Sequence, residues 1–184
     1  IEKKPFTSEQ SSTLTSLEKA RAGEASDILS DFVGETITKR GGSEGFFKHI
    51  LSKVKNDAEL TIVAKLHGIE GFGLRTGEIN KLTPENIIST DQGHFINLTT
   101  GVGKGRQTRP ISISKELYDS IHTLIKKKGI LKDGKIFSED SPKKILQATG
   151  LQADLATANL TQITLEGVLR KAVESRWDVA PGLS

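Results

Sequence analysis

Arg75 and Glu78 stand three residues apart in the run Gly73-Leu74-Arg75-Thr76-Gly77-Glu78-Ile79. Three residues are close to one helical turn, so the spacing predicts that the two side chains share one face of a helix. A guanidinium is always charged and presents a planar fork of five donors. Held beside a glycine-rich break, such a fork can grip a phosphate with two parallel hydrogen bonds. The plainer alternative is a surface ion pair on a helix, worth at most about 0.5 kcal/mol.

A second cluster of cations follows in Gly101-Val102-Gly103-Lys104-Gly105-Arg106-Gln107-Thr108-Arg109-Pro110-Ile111-Ser112-Ile113. Polar and apolar residues alternate before it, in His94-Phe95-Ile96-Asn97-Leu98-Thr99, and again after it through Ile111 and Ile113. Two alternating runs around a glycine-rich turn predict a β-hairpin. Lys104 then stands at or beside the tip, where Gly103 and Gly105 let the backbone approach a ligand closely. Arg106 and Arg109 add charge nearby. A solvated turn has the same composition, so the cluster carries weight only together with Arg75.

In this order and at this separation the two segments resemble the catalytic domain of tyrosine recombinases, the phage integrase family. The first box of that family is Gly-Leu-Arg with a glutamate three residues after the arginine, matched here by Gly73-Leu74-Arg75 and Glu78. A basic hairpin with a Gly-Lys-Gly turn and an Arg-Val-Pro-Leu-like strand follows, matched by Gly103-Lys104-Gly105 and Arg109-Pro110-Ile111. Leu82-Thr83-Pro84-Glu85-Asn86-Ile87 resembles the stretch leading into the family's sheet, with Asn86 in place of the usual aspartate. The match is good over residues 60–124 and looser elsewhere.

The resemblance implies a mainly α fold with a small antiparallel β-sheet (α+β). The implied chemistry is site-specific DNA recombination or integration, as in mobile genetic elements, with no metal, cofactor or external energy source. A tyrosine attacks the scissile phosphate, and a 3′-phosphotyrosyl link forms and is later reversed. Arg75 is then one of two arginines on the phosphate. Lys104 protonates the departing 5′-oxygen, and Glu78 supports Arg75. Gly103, Gly105, Arg106 and Arg109 contact DNA. Double-stranded DNA is the implied partner, with self-association on DNA in the full-length protein and an intracellular, cytoplasmic, DNA-associated location.

The chain also departs from the family. No His-x-x-Arg box is present, and His49, His67, His94 and His122 all precede the place where it belongs. An alternative alignment makes Arg170 the second arginine but puts Gly167 where the box has histidine. Tyr118, the sole tyrosine, falls on an expected helix with Leu117, Ile121, Leu124 and Ile125, and packing suits it better than nucleophilic attack. Trp177 suits the anchoring of a chain end. The expectation is therefore a partial catalytic domain over residues 1–184, inactive alone, with the helices of residues 25–55 an insertion or an accessory piece. Two other readings stand beside it. One is a non-catalytic DNA-binding protein derived from a recombinase. The other is an unrelated helical interaction domain.

Composition bounds these readings. The chain has 184 residues and no methionine, which fits one domain or part of one. It has no cysteine, so disulfides and cysteine–metal centres are excluded. A formal charge of +3 is too small to mark the whole surface as basic, and the clusters matter more than the sum. No segment approaches the roughly 18 apolar residues of a membrane span, and the start shows no signal-peptide pattern.

These groups must be positioned by mostly helical elements. Thr7-Ser8-Glu9-Gln10 reads as a capping box opening a helix with Leu14, Leu17 and Ala20. Ile28, Leu29, Phe32, Val33, Thr36 and Ile37 form one apolar stripe, stopped by Gly41-Gly42. Ser43 and Asp57 read as caps of two further helices, and Ser114 as the cap of the helix after the hairpin. Thr83-Pro84 closes the Arg75 helix. Ile87-Ile88 opens a strand that turns at Asp91-Gln92-Gly93. Lys126-Lys127-Lys128 closes a helix before Gly129, where cations complement the helix dipole. Asp133 to Phe137 reads as a turn and short extended piece, and two or three helices run on to about Arg176.

Overall fold

The computed structural model describes residues 28–69, 74–100, 107–160 and 163–179. The helix expected after Thr7 lies outside them. Helix α1 covers 28–39 and buries Leu29, Val33 and Ile37 along the expected stripe, with Ile28 left exposed. Gly41 and Gly42 stop it at φ 85° and 95°, a backbone that side chains with a Cβ rarely adopt. Helix α2, Ser43–Val54, starts one residue earlier than the sequence suggested. Gly42 takes the cap position, and the Ser43 hydroxyl instead donates to the Ala172 carbonyl at 3.3 Å. The α1–α2 corner is tight enough that a Cβ on Gly45 would lie 1.9 Å from the Arg40 carbonyl oxygen.

Helix α3, Ala58–Ala64, is capped as expected: the Asp57 carboxylate accepts from the Leu60 amide at 3.1 Å. It runs into a π-helical turn, Lys65–Ile69, broken at Gly68. Next among the described elements come α4, Thr76–Asn80, and a 3-10 turn over Pro84–Asn86.

Strands β1, Ile87–Thr90, β2, Gly93–Thr100, and β3, Gln107–Ile113, form one antiparallel sheet in that order. Ile87 pairs with Ile96, Ile96 with Ile111, and Leu98 with Arg109. Side chains alternate across a strand, so Ile96, Leu98, Ile87, Ile111 and Arg109 share one face. That face is the buried one, with Ile87, Ile96 and Leu98 in the core. Helix α5, Lys115–Lys128, packs on β2 and α3, with Ser114 accepting from the Leu117 amide at 3.0 Å.

Lys128 does more than complement the end of α5. Its ammonium pairs with Glu59 at 2.7 Å and donates to the Ile136 carbonyl. The same Glu59 oxygen accepts from the Ser138 amide at 2.9 Å. The segment before α6 is therefore a turn pinned to α3 and α5, with Ile136 and Phe137 fully buried. Helices α6, Ser141–Ala148, α7, Leu151–Thr157, and α8, Leu165–Val179, complete the described chain. Helix α8 packs on α2, α6 and the π-helical turn. Apolar residues from α1 and α2 share one core with those of the sheet and α8. The architecture is α+β: mostly helical, with one small antiparallel sheet. No helix among the described residues is long and apolar enough to cross a membrane.

Candidate anion-binding site

Arg75 is not on the helix that its spacing to Glu78 suggested. It is the N-cap of α4, with extended backbone (φ −79°, ψ 155°), and the helix begins at Thr76. Glu78 is the third helical residue, and its carboxylate turns back to accept from the Arg75 amide at 2.9 Å. This is the glutamate half of a capping box. The reciprocal half is chemically closed, because a guanidinium has donors and no acceptor. The Arg75 side chain is exposed and has no partner among the described residues, so its fork is available to an anion.

The second Glu78 oxygen faces Arg109 at 3.5 Å. Register explains this contact. Pairing with Leu98 aims Arg109 toward the core face of the sheet, where an apolar neighbour would otherwise lie, and Glu78 stands at that edge. The Arg109 side chain stays 59% exposed, so it is not enclosed by the pair.

The next amide is held by a different acid. Glu166, near the start of α8, accepts from the Thr76 amide at 3.5 Å and from the Thr76 hydroxyl at 3.3 Å. Its other oxygen lies 3.6 Å from Arg170, one turn farther along α8. Consecutive amides, Arg75 and Thr76, are thus bound by two glutamates, and each glutamate also pairs with an arginine. Glu78 thus ties Arg109 of the sheet, and Glu166 ties Arg170 of α8, to the start of α4. The Glu166–Arg170 pair is legible as an i, i+4 helix spacing. Its meeting with Thr76 is not, because nothing local specifies a contact across so much sequence.

Beneath this junction His67 is 2% exposed, and neither ring nitrogen makes a hydrogen bond of good geometry among the described residues. Burial pushes its pKa down from 6.5 to about 4, against weaker raising effects of the Glu166 carboxylate and the Leu74 backbone. The imidazole is therefore neutral near pH 7 and supplies no counter-charge to Glu166.

Lys104, Gly103, Gly105 and Arg106, with Gly73, lie outside the described residues. Tyr118 is half-buried on α5, its ring 4.4 Å from those of both His94 and His122. That is the packing role its helix position suggested. Among the described residues no group of three or more His, Cys, Asp or Glu side chains could hold a metal. A mainly apolar cleft of about 410 Å³ opens beside Thr76, lined in part by Leu146, Leu155, Leu160 and Leu165. Comparison with known proteins found no matching family model, no matching curated protein and no matching solved structure.

Proposed function

We propose that this chain is the DNA-binding part of a tyrosine-type site-specific recombinase, which breaks and rejoins DNA through a 3′-phosphotyrosyl intermediate. The observation that carries the reading is the gathering of Arg109 and Arg170 around the α4 cap on which Arg75 is exposed. Guanidinium groups tied to the start of one helix suit a phosphate whose nonbridging oxygens gain charge in the transition state. The place of Arg170 beside Thr76 favours the alignment in which Arg170 is the second arginine. In this reading Lys104 delivers its proton to the 5′-oxygen as the phosphorus–oxygen bond breaks. An ordinary lysine pKa of about 10.4 is high for that task, so the assembled site must lower it.

Tyr118 packs against the rings of His94 and His122, and in this reading the nucleophile is supplied by sequence outside this chain. The same observation favours a second reading, a recombinase-derived protein that binds DNA without cutting it. A nicked suicide duplex separates them. The full-length parent should trap a covalent adduct, Arg75→Ala should abolish it, and this 184-residue chain should form none. Lys104→Ala should slow cleavage of the ordinary substrate, and a 5′-thio leaving group should restore much of the rate. Equal defects on both substrates remove the acid role. An adduct on Tyr118 would overturn the reading.

A further inference from the structure

Glu166 is bound as a phosphate would be. One oxygen accepts from an amide and a hydroxyl of Thr76, and the other faces the Arg170 guanidinium at 3.6 Å. The side chain is 23% exposed, while that of Arg170 is 48% exposed. No cation other than Arg170 pairs with Glu166 among the described residues, and the buried His67 below it makes no hydrogen bond of good geometry there. A carboxylate so placed repels a phosphate approaching Arg170 and occupies the Arg170 and Thr76 hydroxyl donors that phosphate would use. It differs from Glu78, whose pairing with the Arg75 amide caps α4 and so has a structural role of its own.

We infer that Glu166 is an affinity-setting residue, an internal competitor that occupies Arg170 and Thr76 in the free protein and must be displaced when a DNA phosphate binds. The inference rests on the DNA-binding reading above. Replacing the carboxylate by an amide keeps an acceptor for Thr76 and frees the guanidinium. Glu166→Gln should therefore tighten binding of a fluorescent duplex about fivefold near 100 mM salt. Glu35→Gln, the same charge change at an exposed position on α1, should alter affinity less than twofold. Adding Arg170→Gln to Glu166→Gln should abolish the gain.

A Glu166→Gln protein no tighter than Glu35→Gln, with wild type binding, overturns this inference and leaves the DNA reading standing. Absence of binding by both wild type and Glu166→Gln at about 20 mM salt overturns both. Should Glu166→Gln fail to fold, Glu166→Ala reads the same contact: affinity should again rise about fivefold, and a rise no larger than that of Glu35→Gln contradicts the inference.

Discussion

The Glu78 carboxylate joins Arg75 to Arg109, accepting from the amide of the first at 2.9 Å and facing the guanidinium of the second at 3.5 Å. Two segments that sequence spacing picked out for the same chemistry are therefore joined by one side chain. The two contacts differ in worth. The amide bond caps α4, whereas the ion pair is largely exposed and screened by solvent.

Glu78→Ala should accordingly lower unfolding stability by about 1 kcal/mol, near the worth of one hydrogen bond. Arg109→Ala should cost less than about 0.5 kcal/mol, as exposed pairs do. Urea denaturation of both variants and of the double mutant tests this ranking. A larger loss for Arg109→Ala would show that the pair, and not the cap, holds the site together.

Glu59 links α3, Lys128 and the turn at Ser138 through partly buried charged contacts. Glu59→Ala should destabilise by about 2 kcal/mol, within the range for hydrogen bonds to charged groups. Asp57→Ala, which removes only the α3 cap, should cost about 1 kcal/mol. Thermal and urea unfolding give the order, and an equal or reversed cost would refute the linking role of Glu59.

His67 sets a pH dependence with a definite sign. Its folded pKa of about 4 lies below its ordinary 6.5, so the unfolded chain binds the proton more readily between those values. The stability this group allows is fully present above pH 6.5 and is lost as pH falls toward 4, by about 3 kcal/mol in all. His67→Phe keeps a ring and removes the titration. The difference in unfolding free energy between wild type and His67→Phe should therefore change across pH 7 to 4, wild type losing more. A constant difference would contradict the neutral buried imidazole.

The local signals in the sequence were the readable ones. Asp57 and Ser114 cap their helices because a cap is decided within three residues. Alternation around His94–Thr99 sets the strands because one face must be buried. Ser43 misled because a glycine just before it can adopt the positive φ that the α1–α2 corner demands. Arg75 misled for a different reason: residues three apart serve equally as a turn of helix or as cap and third residue, and only the helix start decides. The contacts of Glu166 with Thr76 and of Lys128 with Glu59 were not readable. They arise from how α8 and α5 pack, and charge alone does not choose among many possible partners.

The central claim is that this chain holds duplex DNA by its phosphates, through the hairpin cations and the arginines at the α4 cap. Titration of a fluorescent duplex from about 50 to 200 mM salt tests it most directly. Binding should be detectable at the low end with little sequence preference, and should weaken along a straight log–log line. Lys104→Gln with Arg106→Gln should lower affinity on every sequence and flatten the slope by about 2, one unit for each phosphate contact removed. No binding at low salt, or binding that ignores both salt and these two cations, would contradict it.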